Sequence, residues 1–214
     1  MRSTTRLAGL TIAVVLTVIP ARAQTTNAPA SVPAENAWSF SAAAFTYALS
    51  DNRHYVQPTF TANQGWLHLE ARSNYEGLNT GSAWLGVNFS GGRTLEWELT
   101  PMFGAVFGDT SGFAPGLKAS LGWRQLELYG ESEWVVDSNN VEDSFFYNWS
   151  ELSLAPAEWY RFGVVIQRTR VYQSDREIQR GVIAGVSFKP VNITGYVFNP
   201  DKDTRFVLAV ELTF

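Results

Sequence analysis

The last ten residues alternate strictly: Phe206, Leu208, Val210, Leu212 and Phe214 share one parity, and Arg205, Val207, Ala209, Glu211 and Thr213 the other. Successive side chains of an extended strand point to opposite faces, so a period of two marks a strand with two different surroundings. The pattern recurs upstream. Leu95, Trp97, Leu99 and Phe103 oppose Thr94, Glu96, Glu98 and Thr100, and Leu126, Leu128 and Trp134 oppose Glu127, Glu131 and Glu133. From Trp38 onward the segments run for about ten residues and are cut by Gly, Asn, Asp, Ser and Pro, as strands are.

About twelve such segments, from Trp38–Leu49 to Arg205–Phe214, are joined by links too short for a parallel crossover, which predicts an antiparallel meander. Ten or fourteen strands also fit the pattern. A meander of that size must close or fold over to dispose of its edges. The links alternate in character. Asn63-Gln64-Gly65, Gly91-Gly92-Arg93 and Arg124-Gln125 are brief, whereas Tyr75–Gly81, Asp137–Asp143 and Asn199–Thr204 are longer and more polar. Short turns at one rim and longer loops at the other are expected of a transmembrane barrel with both termini on the short-turn side. Aromatic residues cluster near both strand ends: Trp38, Trp66, Trp97, Trp123 and Phe188 at the short-turn end, and Tyr47, Tyr75, Phe107, Trp134, Phe145 and Phe206 at the other. Two belts of rings suit the two interfaces of a bilayer. The fold class read from this is all-β, a single antiparallel up-and-down transmembrane β-barrel. A soluble β-sandwich would alternate too, but gives no reason for a terminal Phe.

Composition hides this. A mean hydropathy of -0.09 averages two faces, while 17% charged and 14% aromatic residues are a low and a high figure for a soluble domain. A formal net charge of -4 argues against a nucleic-acid partner. Residues 1–23 read as a cleaved signal peptide: Arg2 and Arg6, then apolar Leu7 to Pro20, then Ala21-Arg22-Ala23. Residues 24–37 read as a flexible leader on the periplasmic side, and 38–214 as the barrel.

A signal peptide, alternating strands and a final strand RFVLAVELTF resemble Gram-negative outer-membrane β-barrel proteins. The resemblance implies a location in the outer membrane, contact with its lipid and lipopolysaccharide, and a terminal strand, with Phe214, Leu212 and Val210, read by the barrel-assembly machinery. It leaves the subfamily and the oligomeric state open.

With the apolar face outward, the other face lines the lumen. It carries His68, Glu70, Arg72, Glu96, Glu98, Lys118, Glu127, Glu131, Glu133, Arg161 and Glu211, seven acids against three lysines and arginines. Surplus carboxylates in a narrow low-dielectric space favour cations. The turn at Arg124-Gln125 sets Lys118 opposite Glu131, and a loop at Gly108–Gly112 would set Glu96 opposite Arg124. Glu98, Glu127 and Glu133 are left without a mate and form the expected selectivity patch. Twelve strands lie between a filled small barrel and an open porin, so Trp84, Tyr129, Tyr196 and Arg72 on the inner face could narrow the path. Loops this short are not expected to fold in as a plug.

Two strands resist one phase. Phe145, Tyr147 and Trp149 oppose Leu152 and Leu154 in parity, and Trp38–Leu49 shifts near Ala43, so a bulge is expected in each. Arg168 and Arg170 share parity with Phe162, Val164 and Ile166. They either face outward, as candidate contacts for lipopolysaccharide phosphates, or are turned inward by another bulge.

Barrel lipases and deacylases pair a His with a Ser two residues on. His54 and His68 have no such serine, and the loop at Tyr75–Gly81 sets His68 opposite Asn88, only half a constellation. No enzyme, metal or cofactor is expected: there is no Cys, and the two His stand on different strands. Two functions remain open, a narrow porin-like channel for small polar or cationic solutes and a closed structural or interaction barrel of the envelope.

Overall fold

A computed structural model describes residues 37–48, 54–171, 177–201 and 204–214. The expected signal peptide and almost all of the leader lie outside the described residues. The strands are β1 (Trp38–Ala48), β2 (Tyr55–Gln64), β3 (Leu67–Ser73), β4 (Thr80–Val87), β5 (Phe89–Gly91), β6 (Glu96–Gly108), β7 (Gly112–Trp123), β8 (Leu126–Asp137), β9 (Phe145–Ala157), β10 (Tyr160–Val171), β11 (Glu177–Phe188), β12 (Val191–Phe198) and β13 (Arg205–Thr213). Each pairs antiparallel with its neighbours, and β4 and β5 lie end to end along β6. Among the described residues the result is a closed twelve-strand barrel with β5 as a short extra piece.

Closure runs through β1 and β13, paired from Ser41–Thr213 to Ala48–Phe206. Beyond that ladder Phe214 N–H donates to Phe40 O (2.9 Å) and Phe40 N–H to Phe214 O (2.8 Å), and the two rings stack at 5.9 Å. The terminal Phe is thus part of the seam. A closed ladder pairs every backbone polar group across the sheet, which a barrel immersed in lipid requires.

The outer surface is apolar. Leu85, Phe103, Leu128, Leu152, Val164, Val182, Leu208 and Leu212 are all exposed, as are Trp66, Phe89, Trp97, Trp123, Phe188 and Phe214 at the short-turn end and Phe107, Phe113, Trp134 and Phe206 at the long-loop end. So large and continuous an apolar exterior, girdled by rings, belongs in lipid.

Three expected belt residues point the other way: Tyr47 is buried inside, and Tyr75 and Phe145 pack against the same interior cluster, as does Phe45. No bulge lies where either strand changes phase: β1 pairs with β2 without interruption, and β9 pairs continuously with β8 from Phe145 to Leu154. Their change of apparent phase arises because aromatic residues line the lumen there, while Asn148 and Ser150 occupy the outer face of β9. The irregularity that does occur sits between Tyr160 and Phe162, where β10 meets β9. That is the opposite end from Arg168, which keeps the outward parity of Val164 and Ile166. The side chain of Arg170 lies outside the described residues.

Candidate functional site in the lumen

The inward faces divide into two walls. On one, Arg72 of β3 is the hub. Its guanidinium lies 2.6 Å from Glu131 and 2.9 Å from Glu133, contacts Glu70, and stands 3.9 Å from Glu76. Its planar group is held between the rings of Tyr75 (4.2 Å) and Trp84 (4.6 Å). Lys118 of β7 pairs with Glu70 and lies 3.9 Å from Glu131. The strand period assembles this: Glu70 and Arg72, Ser82 and Trp84, and Glu131 and Glu133 are each two apart on one strand, and the registers set Arg72 beside Ser82 and Lys118 beside Glu131. Trp84 Nε1–H donates to Ser82 Oγ (2.9 Å), which donates to Glu76 (2.5 Å). A Cβ on Gly104 would come within 2.5 Å of the Trp84 ring, so glycine there makes room for the indole.

The opposite wall is aromatic. Tyr47, Tyr147, Trp149, Val165, Ile183, Tyr196, Phe198 and Val207 form one buried cluster. Within it Glu151 accepts hydrogen bonds from Trp149 Nε1 (2.8 Å), Tyr196 OH (3.0 Å) and Arg161 (3.0 Å). Glu151 escapes sequence reasoning because it shares parity with Phe145, Tyr147 and Trp149. A run of rings on one face reads as lipid-facing until the far wall of the lumen is seen to be made of rings.

The loop between β3 and β4 turns inward, contrary to the expectation for a connection so short. Asn74 N–H closes it onto Thr80 O (2.7 Å), and Asn79 N–H caps on Asn74 Oδ1 (2.9 Å). Both asparagines take positive φ (57° and 54°), a conformation Asn tolerates better than most residues. Tyr75 meets Tyr147 edge to face at 5.5 Å across the lumen, and the side chain of Glu76 is fully buried beside Arg72. Two residues of the loop therefore act as a tooth, with Arg72 as its seat.

A cavity of about 480 Å³ runs beside this tooth. Its lining extends from Ser41, Ser187, Asn192 and Glu211 near the short-turn end to Tyr47, Gln57, Tyr75 and Tyr147 near the long-loop end. From Ser41 to Tyr47 is six residues of one strand, roughly 20 Å along the strand and about 15 Å along the axis of a barrel with strands tilted by about 40°. A second cavity of about 390 Å³ opens among Asn63, His68, Asn88, Glu98 and Thr100, and shares Lys118 and Tyr129 with the first. Charged residues lining the first are Glu70, Glu127, Glu131, Glu151 and Glu211 against Lys118 and Arg161.

The expected lumen residues are therefore together, with three corrections. Glu133 is not unmated: Arg72 holds it, and it is among the most buried side chains of the barrel. Glu96 opposes Gly122 rather than Arg124, because Gly108 (φ 119°) turns the chain early; Arg124 instead lies 5.1 Å over the Trp123 ring. His68 opposes Gly86 rather than Asn88, because the loop closes at Asn74–Thr80. Asn63 Oδ1 still joins the two, accepting from Asn88 Nδ2 (2.9 Å) and lying 2.8 Å from His68 Nδ1. The other His68 nitrogen faces Glu70 (3.2 Å). Glu96, Glu98 and Glu127 remain exposed on the inner face.

Solved structures share this fold. The KdgM porin aligns with a TM-score of 0.61 at 11% identity, over 81% of this chain and 99% of its own. The KdgM porin in complex with disordered oligogalacturonate gives 0.59 at 11%, over 82% and 99%, and the NanC porin 0.52 at 11%, over 82% and 98%. No protein-family model and no curated protein sequence matches the chain. The barrel thus has the architecture of small porins, without sequence likeness to them.

Proposed function

We propose that this chain is a narrow porin-like channel of the outer membrane, exported with a cleaved signal peptide and inserted by the barrel-assembly machinery, that passes small polar solutes with a preference for cations. The observation that carries the reading is the cavity itself: it reaches from Glu211 and Asn192 at one end to Tyr47 and Tyr147 at the other, and among its charged lining residues the carboxylates Glu70, Glu127, Glu131, Glu151 and Glu211 outnumber Lys118 and Arg161. Where acids outnumber bases in a low-dielectric passage, the local potential concentrates cations and excludes anions. The mouth on the short-turn side strengthens this, since Glu98 and Glu127 are exposed there while Glu70, Glu131 and Glu133 are engaged by Arg72 and Lys118.

One fold neighbour is solved with oligogalacturonate, an acidic polymer. The present lumen has the opposite complementarity. Its inner cations Arg72, Lys118 and Arg161 are already paired with glutamates, so a polyanion would meet carboxylates. Neutral or cationic solutes are the class this wall suits. We assign no catalytic role to His68, whose two ring nitrogens are taken up by Asn63 and Glu70.

The contact of Tyr75 with Tyr147 favours a second reading, a closed envelope barrel without transport. Planar-bilayer recording with the purified barrel, its folding verified by heat-modifiable gel migration, separates the two. Stepwise conductance supports the channel, and a folded barrel that leaves the bilayer silent sinks it.

A further inference from the structure

The outer face of β8 to β11 departs from the rest of the lipid-facing surface. Ser132, Asn148 and Ser150 stand among Leu128, Trp134, Phe146 and Leu152, and they satisfy one another: Asn148 Nδ2 donates to Ser132 Oγ (2.8 Å) and Glu131 O (3.2 Å), and Ser150 Oγ donates to Asn148 Oδ1 (3.1 Å). Arg168, paired in register with Asn148, is not satisfied in this way. Its guanidinium lies 5.8 Å over the Phe146 ring, and its Nε is shielded from solvent with no hydrogen-bond partner. Arg180 is exposed on the next strand. Arg168 opposes Ile178 and Arg180 opposes Ile166, so the two arginines are diagonal neighbours, roughly 7–8 Å apart by strand geometry. Arg170 continues the row by backbone position, opposite Phe146. Among the described residues, the outer faces of these four strands carry no carboxylate.

Among the described residues nothing neutralises these two cations, which stand beside Val164, Ile166, Ile178 and Val182, and cations on such a surface call for an anion. Their height names it. They stand near the long-loop ends of β10 and β11, Arg168 two residues and Arg180 four residues below the Trp134–Phe146 ring pair of the upper belt by register, on the side where headgroups meet acyl chains. A guanidinium fork matches a phosphate in geometry and charge. We propose that this face binds a phosphate of the lipid A anchor of lipopolysaccharide, with Arg168 and Arg180 gripping the phosphate and the Ser132–Asn148–Ser150 row beside the sugar hydroxyls. The proposal rests on the outer-membrane orientation inferred above.

The test is native mass spectrometry of the full barrel released from detergent, titrated with bisphosphorylated lipid A, the same lipid A after phosphatase treatment, and phosphatidylglycerol. Retention of intact lipid A is expected, with at least about tenfold weaker retention by the Arg168→Gln/Arg180→Gln variant. The variant replaces charge on a lipid face, so heat-modifiable migration and conductance should equal those of the parent. Equal retention of lipid A by parent and variant overturns the proposal, as does retention of the dephosphorylated lipid to the same degree. Equal binding of phosphatidylglycerol overturns the choice of lipid A in favour of any anionic headgroup. A barrel that conducts yet shows no phosphate preference defeats this inference alone, whereas a chain that never forms a heat-modifiable barrel defeats the orientation beneath it.

Discussion

Arg72 offers the sharpest perturbation of the lumen. Its side chain is sealed from solvent with Glu131 at 2.6 Å, Glu133 at 2.9 Å and Glu70 in contact. Replacement by methionine keeps much of the volume and removes the charge that holds these carboxylates together. The four glutamates of the cluster, Glu70, Glu76, Glu131 and Glu133, are then left with Lys118 alone. Removing one partner of a buried ion pair costs about 3–5 kcal/mol, because the remaining charge is stranded in low dielectric. Arg72→Met should therefore raise the unfolding equilibrium constant by roughly two to nearly four orders of magnitude. Urea unfolding of the barrel from lipid vesicles, followed by tryptophan fluorescence, measures it. Neutralising the stranded partners in Arg72→Met/Glu131→Gln/Glu133→Gln should restore more than half of the loss, since most of the cost is repulsion and desolvation rather than lost packing. A single variant that loses less than about 1 kcal/mol, or a triple variant that recovers nothing, would refute the picture of Arg72 as the neutralising hub.

Two further changes test the geometry around it. Tyr75→Ala removes the ring that meets Tyr147 across the lumen, so single-channel conductance should rise; an unchanged value would mean that the β3–β4 loop does not limit the path. Gly104→Ala places a methyl group 2.5 Å from the Trp84 ring, and overpacking of this kind should destabilise the barrel by about 1–3 kcal/mol in the same urea assay, whereas a neutral effect would show that the indole has room to shift.

The strands were legible because lipid outside and polar lumen inside impose a period of two, which ten residues display clearly. The twelfth segment needed no structure to be placed: Phe206, Leu208, Val210 and Leu212 are all exposed on the outer face. The Lys118–Glu131 register was also legible, because a two-residue turn fixes it. Registers across longer loops were not, and Glu96 and His68 each moved by two residues when Gly108 and Asn74 turned the chain at other points than assumed. Lumen aromatics were the deeper obstacle. Phe45, Tyr47, Tyr147 and Trp149 carry the side-chain chemistry of a lipid-facing belt, and only the closure of the barrel shows that they pack against Tyr196 and Phe198 inside. The inward turn of Tyr75 and Glu76 was hidden for another reason. An inward-folding loop is set by a partner far along the chain, here Arg72 and Tyr147, which local pattern does not encode.

The central claim is a lumen whose uncompensated carboxylates select cations. The reversal potential across a planar bilayer, in a gradient of potassium chloride with the purified barrel inserted, tests it most directly. A potential of the sign for potassium permeation is predicted, shrinking toward zero in Glu98→Gln/Glu127→Gln, whose carboxylates are exposed on the inner face. A potential of the chloride sign, or a cation preference untouched by removing both carboxylates, would contradict it.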